Sequence, residues 1–568
     1  MGIKRLAIRG SFSLMTRYYF RQFVRQTRQA GKLNRQVLRE VLRANAQTEY
    51  GLAYKFAGIK NEEEYKQLVP LQVYSDYEPY LERMLLGHEN ILTAEPVKYF
   101  GLSSGTTGKQ KHIPTTAKTQ RKMNMSMMFL QQGLLNQALP AAKRADKGLL
   151  LMNMVQGGTT PAGIPTGSGT SGGANSMRRI FPYFWTSPLE VLQLSDQQTA
   201  TYLHLLFALK ERGLAYIGAP FASGIVQLFA VLEERGPELA EDITKGRISQ
   251  TLVLEPETRA CLEQGLKPDP LRAEEILREL AKGAAGIASR LWPQMVYLSC
   301  VTSGSFSIYL DKLHFYCGDL PIFSAVYGAT EALIGVATEV NKPYYAVTPG
   351  VAYYEFIPIA EADLPQPRTL NLDQLEKGQS YEIVVTNFSG FYRYRIGDVV
   401  KVVDYYFNTP LLEFGYRKGQ LLNLAGEKTS ERAVIAAVQD ASLRLGLLLE
   451  DFTVVQDLAG SLGSYQFYLE VADVSAATGK GVKIRQALDE CLAQANPRYL
   501  AAVQDRRLAP LGLNLVAKGT FGKIRKMLVQ RGASNNQVKV PRMVRDDALI
   551  NTLRHNVVCE IRGIYHER

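Results

Sequence analysis

Hydrophobic residues along the chain follow two different periods. Between residues 12 and 45 they recur at intervals of three and four, which is the spacing of one face of a helix. Further along, short apolar runs typical of strands alternate with helical stretches and turn-rich segments. This alternation predicts an α/β fold. The clearest strand-like runs are residues 148–152, 295–298 and 381–386.

The pattern changes character near residue 420. Residues 424–431 open a helix, and strands and helices alternate from there onward. We therefore predict a large N-terminal α/β domain over residues 1–418 and a smaller C-terminal α+β domain over residues 419–568. Residues 156–176, which are rich in Gly, Thr and Ser, are interpreted either as a mobile loop near a ligand or as a plain linker.

Composition agrees with a large enzyme. The chain has 568 residues, 46% of them hydrophobic and 21% charged, so it can bury a sizeable core in at least two domains. No apolar run approaches the ~20 residues that span a bilayer, which predicts no transmembrane segment. The five cysteines and six histidines lack the spacing of a disulfide framework or a zinc site. We expect a monomer in a reducing cytoplasm.

The net charge of +12 is concentrated at the two ends of the chain. Residues 1–45 carry eleven Lys or Arg against one acid, and residues 521–568 carry ten against four. The remainder is slightly acidic, so we expect no nucleic-acid partner. The basic N-terminus is open to two interpretations, a helix that lies weakly on an acidic membrane surface or a solvated helix with one packed edge. A transit peptide is disfavoured, because serine is sparse and no cleavage signal is evident.

A hydroxyl- and glycine-rich segment follows a short apolar run at residues 98–102. Serine and threonine hydroxyls donate hydrogen bonds to phosphate oxygens, and glycine lets successive backbone N–H groups face one concavity. The segment lacks the Walker spacing, which disfavours an ordinary P-loop enzyme. Its alternative interpretation is a flexible surface loop. The candidate phosphate-binding residues are Ser103, Ser104, Gly105, Thr106 and Thr107, with Lys109 as an added positive charge.

Two further motifs support a nucleotide site. The sequence YGATE at residues 327–331 follows an apolar run, so it lies where a strand ends, and ligands bind at such ends of open α/β sheets. Downstream, YRYRIGD at residues 392–398 ends in Asp398 just after a glycine. A carboxylate in that position can accept hydrogen bonds from both ribose hydroxyls.

The order SSGTTGK, YGATE, YRYRIGD resembles the adenylate-forming superfamily of acyl-CoA synthetases, peptide-synthetase adenylation domains and luciferases. The amino-acid sequences of several other segments are similar to those of one branch, the Gretchen Hagen family of acyl-acid amido synthetases. The similarity runs from about residue 38 to about residue 545. The segments whose sequence is similar to this branch in particular are residues 301–306, 318–321, 352–356 and 531–542.

This resemblance implies an enzyme that activates a carboxylic acid with ATP and Mg²⁺, releases pyrophosphate and then transfers the acyl group to an amine, as in amino acid conjugation. It also implies that the smaller domain swings between the two half-reactions near residues 418–419. By position in the family's motifs, Glu331 resembles the Mg²⁺ ligand and Asp398 the ribose clamp. Tyr327 and Tyr353 are candidates to pack beside adenine. The resemblance places four further residues near the nucleotide: Gly328, Thr330, Arg417 and Lys428.

Two lysines compete for the role of the mobile catalytic lysine. Lys539 lies in the branch-specific segment at residues 531–542, whereas Lys523 lies in a Gly-Lys-Ile sequence similar to that of acyl-CoA synthetases. We favour Lys539, because the similarity around Lys523 extends over only three residues.

The substrates are not identified by the sequence. Met127, on the predicted helix after the phosphate loop, and Phe306 are candidates to line an acyl pocket, although a Met-rich helix is more often core. An aromatic or medium-length apolar acid is the expected class. Two rival interpretations remain: an acyl-CoA synthetase that forms a thioester, and a non-catalytic nucleotide-binding protein.

Overall fold

The computed structural model describes residues 2–102, 111–152, 154, 157–168, 180–418, 421–422, 424–425, 427, 429–458, 462–531 and 538–563. Strands and helices are mixed throughout this part of the chain, which confirms the predicted α/β class. The chain divides into two compact units. The larger takes in Met1–Ser103, Gln110–Thr302 and Tyr309–Phe414, and the smaller takes in Ser303–Ile308 and Gly415–Arg568.

Sixteen strands begin within the described part of the larger unit. Each of the three clearest strand-like runs in the sequence coincides with or overlaps one of them, β3, β7 and β14. The strands are β1 Val97–Leu102, β2 His112–Thr116, β3 Lys147–Leu150, β4 Gly158–Thr159, β5 Pro165–Ser168, β6 Leu214–Phe221, β7 Tyr297–Val301, β8 Ile322–Phe323, β9 Val326–Gly328, β10 Leu333–Ala337, β11 Tyr344–Val347, β12 Tyr353–Pro358, β13 Leu370–Asn371, β14 Ser380–Thr386, β15 Tyr394–Tyr406 and β16 Thr409–Arg417.

These strands form three sheets. A parallel sheet has the order β3-β6-β7-β8, and an eight-stranded antiparallel sheet has the order β13-β12-β14-β15-β16-β11-β10-β9. The third sheet, β2-β1-β5-β4, holds the strand that leads into the predicted phosphate loop. β5 pairs in parallel with the end of β1, Phe100 lying opposite Thr166. The loop expected over residues 156–176 is therefore wrong for the part that forms β4 and β5, where pairing with β1 supplies the order that local composition does not predict.

Helices flank these sheets. The helical period seen from residue 12 to residue 45 corresponds to two helices joined by a short turn at residues 28–29. The helices of the larger unit are Gly2–Thr27, Ala30–Ala44, Glu49–Ala53, Glu62–Leu68, Tyr74–Leu85, Ala117–Met125, Gln131–Ala138, Phe181–Phe184, Leu189–Leu192, Gln197–Lys210, Ala222–Lys245, Pro256–Gln264, Pro270–Leu280, Ile287–Leu291 and Leu310–Cys317.

The smaller unit is built on a five-stranded mixed sheet with the order β22-β19-β20-β21-β23, beside the short pair β17-β18. Its helix Glu431–Leu445 begins only at the last residue of the segment predicted to open a helix, because Thr429–Ser430 form a short strand. The side chain of Ser430 accepts a hydrogen bond from the amide of Ala433. The strands are β17 Leu421–Leu422, β18 Thr429–Ser430, β19 Leu449–Asp457, β20 Ser464–Val471, β21 Gly512–Val516, β22 Met543–Val544 and β23 Val557–Ile561, and the other helices are Val474–Thr478, Gly481–Ala495, Pro497–Gln504, Thr520–Gln530 and Asp547–His555.

Segment Ser303–Ile308 belongs to the smaller unit although it lies far from it in sequence. The Ser307 hydroxyl accepts a hydrogen bond from the side chain of Gln439, and Ile308 packs against the smaller unit's core. Across the described residues, every helix is too short or too polar to cross a membrane.

Candidate active site

The end of β1 is in close contact with the YGATE motif. A Cβ atom added to Gly101 would meet the methyl carbon of Thr330 at 2.5 Å, so only glycine permits this approach. The five candidate phosphate-binding residues, 103–107, lie outside the described residues, as do Lys109 and Lys428. The structure thus brings the strand that precedes the predicted phosphate loop against Thr330, two motifs that are more than 200 residues apart in sequence.

A buried asparagine connects YGATE to the start of the third motif. The Asn387 side-chain amide donates to the carbonyl of Glu331 at 2.9 Å. Its side-chain oxygen accepts from the amides of Ser389 and Phe391, at 2.9 and 3.2 Å. Asn387 is 2% exposed and closes this turn from within. The sequence analysis missed Asn387, and the turn-forming composition of residues 387–390 was the only signal that pointed to it.

Tyr327 and Asp398 are joined directly. The Tyr327 hydroxyl donates to Asp398 Oδ2 at 2.9 Å, and both side chains are buried. Tyr327 lies on β9 and Asp398 on β15, which are four strand steps apart in the sheet order. Those steps would separate them by roughly 19 Å in a flat sheet. The eight-stranded sheet therefore curls, and its curvature brings two of the predicted nucleotide-binding residues together.

Glu331 is 9% exposed and lies near Tyr74, a residue that sequence analysis did not select. Burial raises the pKa of Tyr74, and the negative charges of Glu78 and Glu331 act in the same direction. Lys111 Nζ lies 5.1 Å from the centre of the Tyr74 ring and donates to the Tyr394 hydroxyl at 3.4 Å. Lys111 lies two residues after Lys109 of the predicted phosphate loop, so it adds a positive charge beside Tyr74 and Tyr394.

The carboxylate of Glu331 suits a magnesium ion. Mg²⁺ is usually held through one or two carboxylates together with substrate phosphates and water. Among the described residues no three acidic, histidine or cysteine side chains gather as a metal site. The mostly buried carboxylate of Glu331 therefore fits an ion that takes its other ligands from a polyphosphate.

The two arginines of YRYRIGD have structural partners. Arg393 pairs with the fully buried carboxylate of Glu355, and Arg395 makes two hydrogen bonds to that of Glu382, at 2.8 and 2.6 Å. A buried carboxylate needs such a partner because desolvation is costly. These ion pairs fix the strand that carries Asp398. The guanidinium nitrogens that form the pairs are not available to bind phosphate.

Tyr353 is not brought into this group. Its side chain is 1% exposed, its ring packs edge-on against Tyr65, and its hydroxyl donates to Asn371 at 3.0 Å. Stacking on adenine requires an open ring face, so the structure gives no support for that prediction. The remaining predicted residues of the larger unit are half-buried or exposed: Thr330 beside β1, Gly328 at the end of β9, and Met127 in the π-helical turn Ser126–Leu130.

Lys539 lies in the smaller unit beside Phe306. Its Nζ atom is 5.9 Å from the centre of the Phe306 ring and 3.4 Å from Glu431 Oε1. Glu431 is 6% exposed and Lys539 is more open, with 29% of its side chain exposed. The smaller unit therefore holds the favoured catalytic lysine through one buried carboxylate. Lys523 instead donates to the side chain of Asn556 at 2.8 Å, and Arg417 is exposed at the end of β16.

Substituting Gly101 by alanine is expected to destabilise the larger unit and weaken ATP binding. The new methyl group would overlap the Thr330 methyl, and β-branched threonine has little freedom to move it aside. Overpacking of this kind costs about 1–3 kcal/mol. Thermal unfolding and apparent ATP affinity measure the effect. Because Thr330→Ser removes only the methyl group, the double variant should recover both properties. A double variant as damaged as Gly101→Ala would contradict this contact.

Family models match most of the chain. The GH3 family N-terminal domain matches residues 19–322, its central domain residues 345–417 and its C-terminal domain residues 432–548. The chain is 31% identical to the indole-3-acetic acid-amido synthetase GH3.10 of Arabidopsis thaliana, covering 94% of this chain and 96% of that protein. It is 32% identical to the jasmonoyl-L-amino acid synthetase JAR4 of Nicotiana attenuata, covering 94% of each. It is also 31% identical to the 4-substituted benzoates-glutamate ligase GH3.12 of Arabidopsis thaliana, covering 93% and 95%.

Solved structures agree. The AtGH3.15 acyl acid amido synthetase in complex with 2,4-DB superposes with a TM-score of 0.87 and 28% identity, covering 96% of this chain and 97% of that one. A 2-hydroxyisobutyryl-CoA ligase in its postadenylation state shares the fold, with a TM-score of 0.52 and 12% identity over 91% of each chain. The ordered motifs, the contact of Thr330 with Gly101, the hydrogen bond of Tyr327 to Asp398 and these matches lead to one conclusion. The chain belongs to the GH3 family, the Gretchen Hagen family of acyl acid amido synthetases.

Proposed function

We infer that this chain uses ATP to activate a carboxylic acid as an acyl-adenylate, with release of pyrophosphate, and then transfers the acyl group to the amine of an amino acid. The amine displaces AMP, so an amide bond forms as the acyl–phosphate bond breaks. Membership of the GH3 family carries this conclusion, and the contact of Thr330 with β1 supports it. A thioester-forming CoA synthetase is not favoured, because the relatives above 30% identity are amido synthetases.

The larger unit would hold the nucleotide. The first step places a carboxylate against the α-phosphate of ATP, so its barrier is mostly electrostatic and is lowered by fixed positive charge and aligned donors. The loop after β1 would grip the phosphates, with Lys111 as an additional cation. Mg²⁺ would compensate phosphate charge, and Glu331 would hold it. Asp398, whose carboxylate accepts a hydrogen bond from Tyr327, would also accept hydrogen bonds from the ribose hydroxyls.

The smaller unit would supply Lys539 and change its orientation between the two half-reactions. The part of this unit that is continuous with the C-terminus begins at Gly415. The acyl acid is proposed to be aromatic or of medium length and apolar, with Met127 and Phe306 as candidate contacts. We place the enzyme in the cytoplasm as a monomer.

A pyrophosphate-release screen tests this function. Many carboxylic acids are offered with ATP and Mg²⁺, each alone, with pooled amino acids and with CoA. An amido synthetase should release pyrophosphate only with its acid and should form amide when amino acids are added. Thioester formation without any amide would reject the amide-forming function, whereas pyrophosphate release with no acceptor preference would leave only the adenylation step supported.

Replacing Asp398 by alanine should weaken ATP binding. Two ribose hydrogen bonds to a carboxylate are lost, and one such bond to a charged group contributes about 1.5–3 kcal/mol. We therefore expect the apparent ATP affinity to fall at least about 10-fold. Tyr327→Phe is the matched control, because it removes only the 2.9 Å hydrogen bond to Asp398 and should have a smaller effect. An unchanged ATP affinity in a well-folded Asp398→Ala variant would remove Asp398 from the site.

A further inference from the structure

The N-terminal helix Gly2–Thr27 is fixed to the body of the larger unit along one face. Arg5 and Arg9 both pair with Asp146, and the ring of Phe12 packs against Phe129, with centroids 5.1 Å apart. Near the middle of the helix, a Cβ atom on Gly133 would collide with Phe20. One side of this helix is therefore occupied, and its orientation on the body is set.

The opposite side of the same helix carries large apolar residues that nothing covers. The exposed fractions are 78% for Leu6, 66% for Leu14 and 60% for Tyr18. At 100° per residue, Leu14 and Tyr18 both project within about 30° of the direction opposite to the packed face. Single exposed apolar residues are ordinary. Here two large side chains are aligned on the outermost face of one helix, with a third at its margin, and such a patch favours contact with a protein or a membrane.

The same outward side is strongly basic toward the C-terminal half of the helix. Arg17, Arg21 and Arg25 are exposed, and none pairs with a carboxylate among the residues that the structure describes. The first acidic residue of the chain is Glu40, so no negative charge on this helix offsets them. The helix thus presents apolar side chains followed by unpaired arginines on one face.

We propose that this outward face docks on an anionic lipid surface, with Leu14 and Tyr18 inserted at the interface and Arg21 and Arg25 against the headgroups. The arginines complement the negative charge of lipid headgroups and the exposed apolar side chains beside them can enter the interface, whereas nucleic acid would use the arginines alone. The match to the family's N-terminal model begins at residue 19, after Leu6, Leu14 and Tyr18.

Vesicle flotation with the full chain tests this surface. Vesicles of phosphatidylcholine alone are compared with vesicles that also contain phosphatidylserine, at low and at physiological salt. The protein should float only with the acidic vesicles, and more salt should reduce binding. Arg21→Gln with Arg25→Gln should weaken binding about 30-fold, because each charge near such a surface contributes about 1 kcal/mol and two are removed. Leu14→Ser with Tyr18→Ser should weaken it as well.

A matched pair, Arg278→Gln with Arg562→Gln, lowers the net charge equally at exposed positions elsewhere and should leave flotation unchanged. All variants should keep acid-dependent pyrophosphate release, which shows that they are folded. Equal binding to neutral vesicles, equal loss in the matched pair, or binding to RNA that ignores Leu14 and Tyr18 would overturn the proposal. So would self-association through this face without flotation, measured by light scattering.

Discussion

Lys539→Ala is expected to suppress acid-dependent pyrophosphate release strongly, on the order of 10²-fold or more, as does removal of one fixed electrostatic stabiliser in other enzymes. Adenylation brings a carboxylate against a phosphate, and a lysine delivered there lowers their repulsion. Lys523→Ala should have a mild effect, because Lys523 is exposed and donates to Asn556 within the smaller unit. Pyrophosphate release over time with saturating acid and ATP measures both variants.

The half-reactions separate the role of Lys539 from general damage. When a synthetic acyl-adenylate and an amino acid are supplied, Lys539→Ala should form amide at close to the normal rate, because the α-phosphate has already reacted. A reversed ranking of the two lysines would point to the acyl-CoA synthetase pattern. Equal loss of both half-reactions would indicate that Lys539 supports the structure of the smaller unit and not the first step.

The ion pair with Glu431 requires its own control. Removing Lys539 leaves a buried carboxylate without its cation, and breaking a buried pair on one side is destabilising. Lys539→Ala with Glu431→Gln removes both charges and should restore the stability of the smaller unit without restoring adenylation. Thermal unfolding follows the first property and pyrophosphate release the second. A double variant that regains adenylation would mean that the defect of Lys539→Ala was one of stability.

The class of fold and the family could be predicted from the sequence because both are visible in short segments, as hydrophobic periodicity and as motifs. Periodicity located β3, β7 and β14, and three ordered motifs carried the family resemblance. The comparisons confirm the family and its activity. The contact between Gly101 and Thr330 joins residues of separate motifs, and the motif order anticipated that these segments serve one site.

The sequence did not reveal features that depend on contacts between distant segments. Asn387 closes a turn by reaching the carbonyl of Glu331, and nothing in its neighbours marks it apart from other turn residues. The curl of the eight-stranded sheet, which joins Tyr327 to Asp398, follows from how the strands are arranged and not from the period of any one strand. Tyr353 and Tyr327 are both buried tyrosines on strands, and the strand pattern does not show that Tyr327 reaches Asp398 whereas Tyr353 reaches Asn371.

Glu331→Gln is expected to reduce acid-dependent pyrophosphate release about 10²-fold, because the carboxylate that would hold Mg²⁺ becomes neutral and phosphate charge is less compensated in the transition state. The substitution is close in shape, so the hydrogen bond from Asn387 to the Glu331 backbone carbonyl should persist and the fold should survive.

Glu339→Gln is the matched control for this prediction, since Glu339 is an exposed acid of the same unit that pairs with Lys342 and should leave activity unchanged. Titration with Mg²⁺ makes the test specific. A lost metal ligand should raise the Mg²⁺ concentration that gives half-maximal rate, whereas a lost structural contact would lower the rate equally at every concentration. Full activity with an unchanged Mg²⁺ requirement would show that Glu331 is not the ligand.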